Sequence, residues 1–262
     1  MNKQYLERWA LILGASSGFG EAIALELAGA GMDIFGVHLD RKGTLPNVDR
    51  IKSRISSMGR EAVFFNANAA DPEKRKHILD EIASRGAVVR VLVHSLAFGT
   101  LKPLIAASER EAISRSQMEM TLDVMANTLV YWTQDLVRNN LLMRGGKIFA
   151  LTSAGGARVW PSYGAVSAAK AAIESHTRQL ALELGSKEIS VNAIRAGVTD
   201  TPALRKIPGH EEMIRIAKER NPWGRLTTPE DVAGVIALLS HNKAAWLTGN
   251  VIGVDGGEFI VD

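Results

Sequence analysis

The run Trp9-Ala-Leu-Ile-Leu13, which passes directly into Gly14-Ala-Ser-Ser-Gly-Phe-Gly20, constrains this chain most. A short, wholly apolar run reads as a strand buried on both faces of a parallel sheet. The glycines at 14, 18 and 20 then turn the chain into a helical pattern from Glu21 to Ala30, whose apolar positions include Ile23, Leu25, Leu27 and Ala28. Strand, glycine turn and helix together make a phosphate cradle. Glycine lets the backbone approach a pyrophosphate, and a helix start offers free N–H groups and the positive end of a dipole. Gly14, Ser16, Ser17, Gly18, Phe19 and Gly20 are therefore the candidate dinucleotide-binding residues. The spacing is G-x-x-x-G-x-G rather than G-x-G-x-x-G, so the strand before it and the helix after it carry the reading.

The rest of the chain repeats that alternation. Strands are expected at Met32–Leu39, Ala62–Phe65, Val88–Val93, Lys147–Thr152, Ile189–Ile194 and Asn250–Gly257. Helical patterns lie between them: Val48–Met58, 73–85 with Asp71 as cap and Pro72 as first residue, and a long region over 108–144 ended by Gly145-Gly146. A helix continuing to about Leu184 and another from the Thr228 cap to Ser240 complete the set. Alternating strands and helices imply an α/β fold, here a Rossmann-like, doubly wound, seven-stranded parallel sheet. No linker or repeat divides the 262 residues, so one domain is expected over 1–262. The apolar stretch Val124–Val137 is expected to pack on the sheet or on another subunit.

In such a fold the ends of the strands carry the ligand. The second strand ends His38-Leu39-Asp40-Arg41-Lys42. There an acidic residue would grip ribose hydroxyls, and Arg41 with Lys42 would pair with a 2′-phosphate. Asp40 points to NAD(H) and the two cations to NADP(H); NADP(H) is the expectation. Asn68 and Ala69, in the loop after the third strand, fall where adenine would lie, and Ser95 follows the fourth strand among small residues.

Composition excludes several classes. There is no cysteine, hence no disulfide framework and no thiol chemistry, and no metal site is expected. The polar start Met1-Asn-Lys-Gln-Tyr-Leu-Glu-Arg lacks the apolar core of a signal peptide, and no apolar run nears a membrane span. A cytoplasmic location and no membrane partner are expected. With a net charge of +3, the pI near 9.2 reflects a small Lys and Arg excess, and no nucleic-acid partner is expected.

Tyr163-Gly-Ala-Val-Ser-Ala-Ala-Lys170 holds a phenol and an ammonium seven positions apart. On one helix, seven steps return to nearly the same face, about two turns on. A nearby cation favours phenolate, so one face would offer an acid and the charge that tunes it. Ser153 arrives at the end of the fifth strand.

With Gly14, Gly18, Gly20, Ser153, the Tyr–Lys segment and Val254-Asp-Gly-Gly257, the chain resembles the short-chain dehydrogenase/reductase superfamily over about residues 8 to 257. The common member has its Tyr four residues before the Lys, a position that is Val166 here. A Tyr, six residues, then Lys resembles the enoyl-acyl-carrier-protein reductases, closest to their divergent, short-chain-like branch. Val93-His-Ser-Leu-Ala-Phe98, Ala157-Arg-Val-Trp-Pro-Ser-Tyr163 and the stretch from Val191 to Leu204 are similar to theirs. Two departures stand out. Many of those enzymes carry a second tyrosine where this chain has Ser153. The ordinary superfamily asparagine falls at Met125, with Asn127 nearby.

The resemblance implies an NAD(P)H-dependent reductase that adds hydride to the β-carbon of a trans-2-enoyl thioester. The alternative is a carbonyl reductase acting on a 3-oxoacyl group or another ketone or aldehyde. A non-catalytic dinucleotide sensor is a third possibility, opposed by the joint presence of Ser153, Tyr163 and Lys170. Tyr163 would be the acid, and Lys170 would hold the nicotinamide ribose and favour phenolate. Ser153 would bond the substrate or the cofactor amide. Thr199 and Thr201 would contact the cofactor, and Ala97, Phe98, Leu204 and Ile207 the acyl group. Residues 200–222 form a candidate flap. Its basic residues Arg205, Lys206, Arg215, Lys218 and Arg220 would meet an acyl carrier protein or a coenzyme A phosphate. A homotetramer is expected.

Overall fold

The computed structural model describes residues 9–261. The reading of the chain start as free of a signal peptide therefore lies outside the described residues. Seven strands form one sheet: β1 (Trp9–Leu13), β2 (Asp33–His38), β3 (Ala62–Asn66), β4 (Val89–His94), β5 (Leu142–Ser153), β6 (Ser190–Ala196) and β7 (Val251–Val254). All pair in parallel, in the order β3-β2-β1-β4-β5-β6-β7. The sense of winding reverses between β1 and β4, and ligands of such sheets bind in the crevice outside the strand ends at that point.

Alternation along each strand divides the core in two. Ala10 and Ile12 of β1 face α1 (Gly18–Gly29) and α8 (Pro229–Leu239), packing with Ile23, Leu27, Phe149 and Ile236. Leu11 and Leu13 face the opposite side and join Trp132, Leu136, Ile148 and Ile173 from α5 (Thr128–Arg138), β5 and α6 (Gly164–Leu184). Burial on both faces is why β1 reads as a continuous apolar run. The stretch Val124–Val137 thus packs on the sheet through Met125, Ala126, Leu129, Trp132 and Leu136.

The helix starts are set locally. The Asp71 carboxylate accepts from the N–H groups of Glu73 and Lys74 at 2.9 and 3.1 Å, and opens α3 (Pro72–Ser84). Thr228 and Asp231 form a reciprocal capping box at the start of α8. The long helical region expected over 108–144 is corrected. Ser114 caps α4 (Arg115–Leu122) in a box with Gln117. A π-helical turn over Asp123–Asn127 joins α4 to α5, and the chain is already extended at Leu142. Gly145-Gly146 lies inside β5, where the pairing with β4 shifts register between Val89 and Val91. The glycines therefore mark a bulge rather than a helix stop. Among the described residues, no helix is long and apolar enough to cross a membrane.

Lys147 sits on β5 beside Arg90, and its side chain is among the largest that are fully buried. Nothing among the described residues accepts a hydrogen bond from its Nζ. Burial, with the Arg90 charge adding to it, pulls the ammonium from 10.5 down to about 8. Below that pH the folded chain carries the full burden of a buried charge. As pH rises from about 8 towards 10.5 the folded chain releases the proton while the unfolded chain keeps it, so stability rises. Replacing Lys147 by Met is expected to stabilise the protein by about 1–2 kcal/mol at pH 7 and to flatten that rise. Thermal melts at pH 7 and pH 9.5 check it. A lower melting temperature at pH 7 would show that the ammonium is compensated after all.

Candidate active site

The crevice is built where the glycine turn meets the end of β4. Gly14 has φ +91°, and a Cβ there would stand 2.4 Å from the Ser95 carbonyl oxygen. Only glycine allows both the backbone angle and this approach. Next, α1 begins at Gly18 with Ser17 as its first cap, and the Ser17 side chain makes no capping hydrogen bond. The N–H groups of the first turn are thus not engaged by their own cap and point at the crevice, the arrangement a pyrophosphate requires. A Cβ on Gly18 would lie 3.4 Å from Thr201, so the turn and the loop after β6 close on each other. These residues fit a nicotinamide dinucleotide.

At the end of β2 the Asp40 carboxylate dominates. His38 Nδ1 lies 2.9 Å from Asp40 Oδ2, and the Asn66 amide bridges the Asp40 backbone at 3.0 Å on both sides. Burial opposes its charge, but hydrogen bonds from Ser16, Thr44 and His38 outweigh burial and hold the carboxyl below the usual carboxylate value. Asp40 is held by His38 and Asn66, with Ser16 of the glycine turn among the groups that lower it, while Arg41 and Lys42 are exposed. Asn68 folds its side chain onto the Ala70 N–H at 3.0 Å, and the carbonyl of buried Ala69 accepts from Trp132 Nε1 at 2.9 Å. Both serve the loop itself.

A cavity of about 450 Å³ opens beyond the crevice. Phe19, Ser95, Ala97, Phe98, Ser153, Tyr163, Lys170, Thr199, Thr201, Leu204 and Ile207 all line it, as expected. His38, Arg41, Asn68 and Ala69 do not. Tyr163 stands at the very start of α6: it is the N-cap, with φ −97° and ψ 1°, and its carbonyl accepts from the Ser167 N–H at 2.8 Å. The cause is the turn Trp160-Pro161-Ser162-Tyr163, closed by a 3.1 Å bond from Tyr163 N–H to the Trp160 carbonyl. Pro161 occupies its second position and Ser162 its third, at φ +61°.

The electrostatics of the pair are corrected. Burial pushes the Tyr163 phenol above its ordinary value, and the neighbouring Ser153 hydroxyl opposes the shift without cancelling it. The phenol is thus held protonated rather than drawn towards phenolate. Lys170 Nζ donates to the Leu151 carbonyl at 2.7 Å; burial lowers it to about 8, and Glu174 acts to raise it. The loop carrying Ser153 is fixed by Ser167, whose hydroxyl donates to the Gly155 carbonyl at 2.5 Å.

Several lining residues escape sequence reasoning. Arg158 and Trp160 line the cavity. The Arg158 guanidinium donates to the Phe259 carbonyl at 2.6 Å, and Trp160 Nε1 to the Pro208 carbonyl at 2.9 Å. The buried Glu258 carboxylate reaches in from the chain end and accepts from the Val198 N–H at 3.0 Å. Met125 enters from the π-helical turn, which nothing in its composition announces. The only signal for Trp160 is its place before Pro161. Arg205 is engaged by Asp200, and Arg215 by Glu212 and Glu219, so the basic patch of residues 200–222 is narrower than the sequence suggests.

Sheet order, glycine cradle and the Ser–Tyr–Lys group define a nicotinamide-dinucleotide-dependent oxidoreductase of the short-chain dehydrogenase/reductase type. Comparisons with known proteins agree. A family model described as enoyl-(acyl carrier protein) reductase matches residues 14–258. The enoyl-[acyl-carrier-protein] reductase [NADH] FabI of Nostoc is 30% identical over 255 residues, 96% of each chain. The 3-oxoacyl-[acyl-carrier-protein] reductase FabG of Thermotoga maritima is 28% identical over 250 residues, 95% of this chain and 97% of its own. Among solved structures, the enoyl-[acyl-carrier-protein] reductase (NADH) of Aquifex aeolicus superposes with a TM-score of 0.86 at 26% identity, covering 98% of each chain. The chain belongs to the enoyl-(acyl carrier protein) reductase family of short-chain dehydrogenases/reductases.

Left-handed backbone costs a serine about 1–2 kcal/mol, part of which glycine's greater freedom in the unfolded chain takes back. Ser162→Gly is therefore expected to raise the melting temperature by about 1–3 °C. A lower melting temperature would show that the serine side chain, not the turn alone, holds Tyr163 in place.

Proposed function

We propose that the protein is an enoyl-thioester reductase of fatty acid synthesis, acting on trans-2-enoyl groups carried by acyl carrier protein or coenzyme A. The observation that carries this reading is the pair Tyr163 and Val166. Both line the cavity, and Val166, at the ordinary tyrosine position, is buried against the neighbourhood of Gly99 and Met125. Nothing at that position donates a proton. The donor stands about one turn, roughly 5 Å, nearer the helix start.

A nicotinamide dinucleotide, when bound, supplies the hydride. Reduction at the β-carbon places charge on the thioester oxygen, three bonds from the carbon reduced. A ketone instead carries its oxygen on the carbon that is reduced. A displaced phenol suits the more distant oxygen. Tyr163 keeps its proton at neutral pH and donates it, or a hydrogen bond, to that oxygen. Ser153 stands beside the phenol, and Lys170 presents a buried cation to the cofactor ribose. Leu204 and Ile207, with Met213 and Ile216, offer an apolar wall to the acyl chain, and residues 200–222 act as its flap. Lys206 and Arg220 line the same mouth and suit a phosphate or an acidic carrier.

The second reading is a 3-oxoacyl reductase. It is favoured by the closeness of Ser153 to Tyr163, both against Gly155, and by the relatives of that name. Purified protein is expected to oxidise the reduced cofactor with crotonyl thioester and not with acetoacetyl thioester; activity on the latter alone overturns the first reading. Tyr163→Phe is expected to lower kcat about 100-fold or more while cofactor binding persists. Unchanged turnover would remove Tyr163 from the chemistry.

For the cofactor, the exposed Arg41 and Lys42 were the case for NADP(H). The ionised Asp40, held by His38 and Asn66, supports NAD(H), because it accepts from ribose hydroxyls and repels a 2′-phosphate. Initial rates are expected to favour NADH, with Asp40→Ser raising kcat/KM for NADPH about tenfold. Preference for NADPH in the unaltered protein would return the assignment to Arg41. A cytoplasmic homotetramer completes the proposal, supported by the exposed apolar side chains Leu182, Trp246 and Leu247 on neighbouring elements.

A further inference from the structure

One carboxylate beside the site has no part in the chemistry above. Glu174 lies one helical turn beyond Lys170 on the same face of α6. Its Oε1 accepts from the Thr152 hydroxyl at 2.9 Å. A Cβ on Gly156 would come within 2.8 Å of that oxygen, so the loop after Ser153 is pressed against the carboxylate. Lys170 meanwhile donates to the carbonyl of Leu151. One turn of α6 thus grips two successive residues of β5, Leu151 through the ammonium and Thr152 through the carboxylate. The next residue along the strand is Ser153, whose hydroxyl stands with the Tyr163 ring against Gly155.

We infer that Glu174 is a positioning residue with two effects: its charge, one turn along α6, supports that of Lys170, and its hydrogen bond to Thr152 fixes Ser153. The inference rests on the reading of Lys170 as the cation that holds the cofactor ribose. The surroundings leave Glu174 alone in the first role. From β4, His94 faces Lys170; burial pushes that imidazole down to about 3, so it is neutral. From the turn before α6 comes Tyr163, a neutral phenol. The π-helical segment against α6 carries Asp123 as its one ionisable side chain, and further along α6 His176 is lowered by burial. Burial works against the Lys170 charge, and Glu174 is the group that opposes burial.

Two substitutions separate the effects. Glu174→Gln keeps an oxygen for Thr152 and removes the charge. Thr152→Val removes the hydrogen bond and keeps the charge. The readout is the dissociation constant of reduced nicotinamide dinucleotide, followed by its fluorescence between pH 6 and pH 10, alongside kcat. In the unaltered protein, binding is expected to weaken as pH rises through about 8, where Lys170 loses its proton. Glu174→Gln is expected to move that weakening about one unit towards acid, a roughly tenfold loss of affinity at a pH between the two midpoints. Thr152→Val is expected to leave the midpoint in place and lower kcat several-fold. An unchanged midpoint in Glu174→Gln overturns the inference. So does a loss of melting temperature in both variants with no movement of midpoint or kcat, since that is the mark of packing alone. Lys170→Ala tests the underlying reading separately: unaltered cofactor affinity there would remove the role of Lys170 whatever Glu174 does.

Discussion

A lysine ammonium buried at the carboxyl end of a parallel sheet is the constraint on which the rest of this structure depends. Taking that charge out of water is unfavourable by several kcal/mol, and it persists only where partners are placed in advance. The Leu151 carbonyl accepts from the ammonium, and the Glu174 carboxylate stands one turn along the same helix face. Both demand that α6 lie against β5 in one register. That register places Ser153, whose hydroxyl and the Tyr163 ring both stand against Gly155. The same two elements form part of the larger hydrophobic cluster, so apolar packing and buried polarity select the same arrangement.

The opposite wall of the site depends on close approach rather than on charge. Gly14 meets the end of β4 at a distance that leaves no room for a side chain, and Gly18, at φ +54°, brings the turn into contact distance of Thr201. The crevice at the reversal of strand order is thereby narrow enough for backbone N–H groups to act on a bound anion. The fold provides the crevice; in the proposed reaction it is the place of Tyr163 that selects the bond reduced. A turn of four residues, Trp160 to Tyr163, sets where the proton donor stands relative to a helix that is otherwise ordinary.

Much of this was legible in the sequence. Strands buried on both faces, such as β1 and β4, read as apolar runs, and glycine, Asp71 and Thr228 announce turns and caps by their own chemistry. Of the cavity residues, Ser153 was found from its place at a strand end, Tyr163 and Lys170 from their spacing, Thr199 and Thr201 from the family resemblance, and Leu204 and Ile207 from the apolar pattern of residues 200–222. What escaped has a common cause. Periodicity over 108–144 is helical whether the turn at Asp123–Asn127 is α or π. The Tyr163–Lys170 spacing likewise does not show that Tyr163 is the N-cap, reached through the left-handed Ser162. The ionisation of Tyr163 depends on burial, which spacing does not report. Arg205 and Arg215 read as free cations because their partners Asp200, Glu212 and Glu219 count as separate charges in a linear reading. Glu258 reaches the cavity from the far end of the chain, a contact no local pattern contains.

The account's central claim is that the displaced phenol serves reduction of a carbon–carbon double bond. The most direct measurement follows the fate of the hydride. Trans-2-butenoyl thioester would be reduced with cofactor deuterated at C4 of the nicotinamide, and the product examined by NMR. The account predicts a saturated thioester with a single deuteron at C3 and an ordinary proton added at C2. Recovery of unreacted butenoyl thioester, with deuterium instead appearing on the carbinol carbon when a 3-oxobutanoyl thioester is supplied, would contradict it.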